Sequence, residues 1–258
     1  NIKFKHIYFT KIKYFQMVSH REYRDKDKEI AKKNFDFLIK NYGPSDNTEI
    51  FRKMYVYIRL IDMLKIKTEY TLDLGCGFGT LTKVLSLISK KIDALDFFQE
   101  SIDVAKKKNI NISNINYICE DIFNYNLETK KYDLVFVSEF HPFTRNYYKD
   151  SNESLICHKK IIKNIENSIK DNGYLIISHI PSKAQCIDVL KSIDYKLEIV
   201  VFDLDERLIL LLDNFLKNFV NQKIYFFIIK TLTKIRIILH KLKIIKGVKL
   251  IYILKKIN

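Results

Sequence analysis

Hydrophobic and polar positions change rhythm repeatedly along this chain. Short apolar runs at residues 70–74, 91–96, 115–119, 132–137 and 174–179 have the length and the Ile, Leu, Val and aromatic content of buried strands. Between them, residues 80–89, 99–108 and 152–170 carry apolar positions at helical spacing, with Gly173 just past the last as a C-terminal stop. Strands alternating with helices predict an α/β fold, a doubly wound and mostly parallel sheet covered on both faces. Two more runs, 197–202 and 248–254, bring the expected sheet to seven strands.

The flanks differ from this core. Residues 23–41 read as a polar helix, Tyr42-Gly43-Pro44-Ser45-Asp46 as a turn, and 48–64 as a second helix capped by Asn47 or Thr48. In that second helix Phe51, Met54, Tyr55, Ile58, Ile61 and Leu64 recur at helical spacing, which predicts packing on the sheet or against a site. The expected division is an N-terminal basic segment with covering helices over 1–64, and a main domain over 65–258 with a helical insertion at 204–245. Within the insertion Ile224, Ile228, Leu232, Ile235, Leu239 and Leu242 form one stripe, opposite Lys223, Lys230, Lys234 and Lys241.

Charge widens the choice of partners. The net charge is +15, and residues 222–258 hold ten Lys or Arg and no acidic residue. Such a balance suits nucleic acid, a phosphorylated substrate or an anionic membrane surface. It equally suits the Lys-, Ile- and Asn-rich usage of an AT-rich bacterial coding sequence. Four cysteines without a CxxC pair, and six scattered histidines, indicate neither a disulfide scaffold nor a metal site, and fit a reducing compartment. Lysines interrupt residues 1–15, unlike a signal peptide, and no apolar run approaches the ~20 residues that cross a bilayer. A start at Asn1 reads as trimming. The expected location is cytoplasmic, with 223–245 as a candidate peripheral contact to the inner membrane face, or else a lid or homodimer face.

The most informative run is Leu72-Asp73-Leu74-Gly75-Cys76-Gly77-Phe78-Gly79-Thr80, which holds three of the six glycines between a strand pattern and a helix pattern. Glycines concentrated there imply backbone that must approach a ligand closely. A dinucleotide fingerprint is G-x-G-x-x-G, built to seat a pyrophosphate on the helix N-terminus. Here the pattern is G-x-G-x-G, with Asp73 two positions before the first glycine.

That arrangement resembles the first motif of the class I S-adenosylmethionine-dependent methyltransferases, whose Rossmann-like fold has the strand count expected above. The similarity extends along the chain. Asp96 stands at the position where the family has a carboxylate on the ribose hydroxyls, and Phe97 beside it would lie on the adenine face. Asp121 matches the position that contacts the adenine amino group, with the backbone of Ile122 on the ring. Residues 132–139 look like the fourth-strand motif, and 172–177 like the turn into the fifth strand. The resemblance thus implies S-adenosylmethionine as cofactor and S-adenosylhomocysteine as product. Its implied cofactor-binding set is Asp73, Gly75, Cys76, Gly77, Gly79, Asp96, Phe97, Asp121, Ile122 and Ser138. Asp73 could instead only brace the loop, and Cys76 reads as a small packing residue, not a nucleophile.

Methyl transfer from a sulfonium is an in-line displacement on an activated donor, so positioning dominates catalysis. Ligands of doubly wound sheets lie beyond the carboxyl ends of the strands, which directs attention to the loop after the fourth strand. His141 is the first candidate for general base on an oxygen acceptor, since imidazole titrates near neutral pH. Glu139 could hold the acceptor or the methionine amine, His179 is a further candidate base, and Arg145, Tyr147 and Tyr148 make the loop polar and aromatic. The expected activity is methylation of an oxygen, or else a nitrogen, on a small polar acceptor such as a sugar or phosphorylated metabolite, with a place in cell-surface polysaccharide assembly. The alternative is an RNA methyltransferase that holds phosphates with its basic C-terminal segment. Against it, the Asn/Asp-Pro-Pro-aromatic signature of base N-methyltransferases is missing, and Ser138-Glu139-Phe140-His141 stands instead.

Overall fold

A computed structural model describes residues 64–138, Phe140, 152–181, 195–202 and 249–257, with Glu29, Lys32, Tyr57, Ile58, Leu60, Ile61, Asp62, Ile228, Thr231 and Ile235. Seven strands form one sheet: β1 (Tyr70–Leu74), β2 (Lys91–Asp96), β3 (Ile115–Cys119), β4 (Tyr132–Ser138), β5 (Ile169–Pro181), β6 (Tyr195–Phe202) and β7 (Lys249–Lys256). The spatial order is β3-β2-β1-β4-β5-β7-β6. Neighbours from β3 to β5 pair in parallel, and β7 runs antiparallel between β5 and β6. The doubly wound, mostly parallel class expected from the alternating pattern is the observed one. The strand order reverses between β1 and β4, and such a switch point opens a crevice at the carboxyl ends.

Period-two alternation splits the central strands into two buried faces. Leu72, Leu74, Val135, Val137, Leu175 and Ile177 face one way and pack with Ile161, Ile162 and Ile165 of helix α3 (Asn152–Ser168). Leu134, Phe136, Ile176 and Ile253 face the other way and meet Leu81, Val84 and Leu85 of α1 (Thr80–Ser86), together with Tyr57, Leu60 and Ile61. Helix α2 (Gln99–Lys108) packs Ile102 against Ala94 and Cys76. Full burial of each such Leu or Ile contributes about 1.5–3 kcal/mol, so the two faces together fix the sheet between its helices.

Several boundaries differ from the sequence reading. Helix α1 stops at Ser86, three residues before the expected end. There Ser86 Oγ donates to the Lys83 carbonyl at 2.7 Å, and Asn114 Nδ2 donates to the carbonyls of Ser86 (3.0 Å) and Ser89 (2.8 Å), satisfying groups a longer helix would have used. Helix α3 ends at Ser168, whose hydroxyl donates to the Ile165 carbonyl at 2.7 Å, and not at residue 170. Gly173 is accordingly no helix stop: Ile169 already pairs with Tyr132, and Tyr174 pairs with Leu134, so 170–173 form an excursion within β5. Asn172 takes the left-handed conformation there (φ +62°). Gly173 serves close packing, since a Cβ would lie 2.6 Å from Ile169 Cγ2 and 2.9 Å from the Lys170 carbonyl oxygen.

The helix expected at 48–64 is helical at Tyr57, Ile58, Leu60, Ile61 and Asp62; among the described residues its buried side chains are Ile61, as the stripe predicts, with Tyr57 and Leu60, while Phe51, Met54 and Tyr55 lie outside the described residues. Ile58 and Leu64 pack only at the margin. Of the insertion over 204–245, Ile228, Thr231 and Ile235 are helical. Of the polar helix expected at 23–41, Glu29 and Lys32 are helical and exposed; the rest of both segments lies outside the described residues. No helix among the described residues is long and apolar enough to cross a membrane.

Candidate functional site

The loop after β1 is held from both sides. Gly75 N–H and Cys76 N–H both donate to the Leu95 carbonyl, at 2.8 and 3.1 Å, and Gly79 N–H donates to the Cys76 carbonyl at 2.9 Å. All three glycines have positive φ: +77° at Gly75, +50° at Gly77 and +69° at Gly79. Only the surroundings tell them apart. A Cβ on Gly79 would lie 2.8–2.9 Å from Asn109 Nδ2, Ala105 Cβ and Tyr117 Oη, so that glycine lets α2 and β3 close on the loop. A Cβ on Gly75 would meet the Phe140 ring at 2.9 Å. A Cβ on Gly77 would meet no heavy atom of the described residues within 4 Å, which leaves that side of its backbone open to an incoming molecule.

Carboxylates stand on either side of this loop. Asp96, the last residue of β2, accepts from Gly77 N–H at Oδ2 (2.9 Å) and from Phe98 N–H at Oδ1 (3.0 Å). Two acceptor oxygens are thereby fixed beside the open glycine, each with a further lone pair for hydroxyl donors. Phe97 is half-buried next to Asp96, its ring centroid 6.3 Å from that of Phe98. Asp121, just past β3, accepts from Phe123 N–H at 3.1 Å, and its carbonyl accepts from Asn124 and Tyr125 N–H at 2.8 Å each. This side chain shapes its own turn while remaining partly accessible, with Ile122 buried behind it.

Asp73 differs in kind, being 1% exposed with Oδ2 accepting from Thr82 Oγ1 at 2.6 Å. Burial raises its pKa from 3.8 to about 7, opposed by the Thr82 hydrogen bond, with the nearby Asp96 charge adding to the rise. It ties β1 to α1 behind the loop. Burial pushes the Cys76 thiol well above its ordinary range, as expected of a packing residue and unlike a nucleophile.

At the carboxyl end of β4, Ser138 Oγ accepts from Ser178 Oγ at 2.9 Å, and Ser178 Oγ accepts from Tyr57 Oη at 3.1 Å. The sequence reading named Ser138 and missed Tyr57 and Ser178. Spacing of Tyr57, Leu60, Ile61 and Leu64 as an alternative helical stripe was the available signal for the tyrosine. Asn109 was also missed: its Nδ2 donates to the Gly79 carbonyl at 3.0 Å and to Tyr117 Oη at 2.7 Å, and nothing in the local pattern pointed to it. Glu139, His141, Arg145, Tyr147 and Tyr148 lie outside the described residues, and His179 is described only as backbone of β5.

Laterally, Asp121, Asp96, the glycine loop and Ser138 follow the sheet order β3-β2-β1-β4. At ~4.8 Å between strands, they span roughly 14 Å along the carboxyl edge. Such an edge suits an elongated molecule with one diol, one flat apolar face and one polar tail. The open cradle at Gly77 and the paired oxygens of Asp96 fit an adenosyl group, whose sugar brings two hydroxyl donors, and the loop has no third glycine at dinucleotide spacing.

Comparison with known proteins agrees with this fit. Residues 72–177 match a family model described as a methyltransferase domain. Over 118 residues the chain is 37% identical to malonyl-[acyl-carrier protein] O-methyltransferase 1 of Ilyobacter polytropus, covering 43% of this chain and 41% of that protein. It is 29% identical over 118 residues to the ubiquinone biosynthesis O-methyltransferase of Coxiella burnetii, covering 45% and 46%. The chain thus spans less than half the length of these curated relatives. Among solved structures, N-methyltransferase NodS of Bradyrhizobium japonicum in complex with S-adenosylhomocysteine shares the fold, with a TM-score of 0.56 at 14% identity over 88% of this chain and 98% of NodS. Residues 72–177 thus have the sequence pattern of a methyltransferase domain, on a sheet whose fold NodS shares.

Proposed function

We propose that this protein transfers the methyl group of S-adenosylmethionine to an oxygen of a small polar acceptor. The observation that carries the reading is the open backbone of Gly77 hydrogen-bonded to Asp96 at the sheet's switch point. In this reading Asp96 accepts from the ribose hydroxyls, Phe97 and Ile122 flank the adenine, and Asp121 meets its amino group. Gly75, Cys76, Gly77 and Gly79 supply close backbone, Asp73 braces the loop, and Ser138 meets the far end of the cofactor.

The bound cofactor supplies an electrophilic methyl on a sulfonium. The chain's task is to hold the acceptor oxygen in line, which by itself is worth about 7–11 kcal/mol of barrier. An oxygen acceptor also has to lose a proton, and His141 is proposed as its base, with Glu139 holding the acceptor or the cofactor amine. Phe140, between them in sequence, rests on Gly75. Oxygen in preference to nitrogen is supported by the two relatives matched over the domain, both O-methyltransferases. A sugar or phosphorylated metabolite of surface polysaccharide assembly is the acceptor class proposed.

The test is formation of S-adenosylhomocysteine by purified protein given the cofactor with a panel of sugars, sugar phosphates, carboxylic acids and phenols, or with an RNA pool. Turnover with a small acceptor is the expected outcome. Turnover with RNA alone would overturn the reading in favour of the basic C-terminal segment as a phosphate-binding surface.

A further inference from the structure

We propose that Tyr57 is a positioning residue for the cofactor: through Ser178 it aims the Ser138 hydroxyl at the carboxylate of the cofactor's amino-acid tail. The proposal rests on the adenosyl reading of the site and extends it to residues outside the glycine loop and the two carboxylates.

Three hydroxyls run in series from the interior to the carboxyl edge. Tyr57 and Ser178 are each 1% exposed, whereas Ser138 is only half-buried. The phenol is held in place because its ring stands edge-on to Phe136, with centroids 4.7 Å apart and planes at 66°. Ser138 and Ser178 are register partners on β4 and β5, so their side chains share a face, the same face on which Phe136 and Asp73 pair.

The geometry of the two hydrogen bonds sets the direction. Tyr57 donates to Ser178, which has one proton of its own and gives it to Ser138. Ser138 therefore accepts from within and has its own O–H left to donate at the edge. Donors in series polarise one another, and a chain anchored in the core fixes the direction of its last member. An oriented donor of this kind recognises an anionic oxygen.

The occupant follows from lateral order. With adenine at Asp121 and ribose at Asp96, the next strands along the edge are β1, with its glycine loop, and β4, with Ser138. Val137 pairs with Leu74, so Ser138 stands level with Gly75 at the strand ends. The sulfur and then the amino-acid tail continue in that direction, and the tail's carboxylate is the anion that reaches β4.

Calorimetric affinities separate this role from mere packing. S-adenosylhomocysteine and 5′-methylthioadenosine share the nucleoside and thioether, but only the first has the amino-acid tail. Tyr57→Phe and Ser178→Ala should each weaken S-adenosylhomocysteine by about three- to tenfold, the loss expected when one hydrogen bond to a charged group is misaligned. Ser138→Ala should weaken it at least as much, and 5′-methylthioadenosine should bind all four proteins equally. Equal losses for both ligands, or no loss in Tyr57→Phe and Ser178→Ala, would overturn the proposal. A wild-type protein that binds neither nucleoside would overturn the adenosyl reading itself, while a wild type that binds both with equal variants leaves that reading standing and removes only the relay.

Discussion

The backbone N–H of Gly77 donates to Oδ2 of Asp96 at 2.9 Å, joining the most open point of the loop after β1 to the end of β2. One short contact thereby sets the distance between a close-approach backbone and an acceptor pair. Substituting the two partners separates what each contributes.

Gly77→Ala adds a methyl group where nothing is within 4 Å, at φ +50°. The expected stability loss is the left-handed strain alone, about 1–2 kcal/mol, while S-adenosylhomocysteine binding falls much further because the methyl occupies the approach path. Gly79→Ala should do the reverse, losing stability first, since its Cβ would lie under 3 Å from Asn109, Ala105 and Tyr117. Melting curves beside ligand titrations on the two variants check this; parallel behaviour would contradict it.

Asp96→Asn keeps one acceptor oxygen and removes the charge that strengthens bonds from Gly77, Phe98 and the ribose. Affinity for S-adenosylhomocysteine should drop roughly 10- to 100-fold, the scale of one charge-assisted hydrogen bond. Titration calorimetry would show it, and an unchanged affinity would remove Asp96 from the ribose role.

Asp73 gives the fold a pH dependence with a definite sign. Its carboxyl has a folded pKa of about 7 against an ordinary 3.8, so the folded state favours the protonated form. The stability this contributes is complete below about pH 4 and is lost as pH rises through about 7. Asp73→Asn retains an oxygen for Thr82 and does not titrate. The melting temperature of the variant relative to wild type should therefore rise between pH 5 and pH 8; a constant difference would show that the buried carboxyl is ionised throughout.

Salt distinguishes small acceptors from RNA. Turnover of a small acceptor should change less than about twofold between 50 and 200 mM salt, whereas 6–10 phosphate contacts would cost about 10³–10⁵ in affinity. Steady-state rates across that range decide between them, and a steep fall would favour the +15 charge as a binding surface.

Local pattern made much of this molecule legible. Strands β1, β2 and β3 and helix α2 begin and end where apolar runs and helical spacing put them: β1, β2 and α2 bury apolar residues, and β3 packs Ile115, Tyr117 and Cys119 partly buried against Ala94 and Ile102. The glycine loop was legible because positive φ selects glycine, and Asp96 because a strand end fixes its place. Contacts made at long range were not. Tyr57 reaches Ser178 across 121 positions, and Asn109 reaches Gly79 across 30, distances over which neither spacing nor composition carries information. The excursion at 170–173 was missed for a related reason, since Ile169 satisfies helix and strand patterns equally and only its pairing with Tyr132 decides.

The most direct measurement is calorimetric titration of the full chain with S-adenosylhomocysteine and, separately, with a nicotinamide dinucleotide. The account predicts saturable one-to-one heat with the first and none with the second. Heat with the dinucleotide and none with S-adenosylhomocysteine would contradict it.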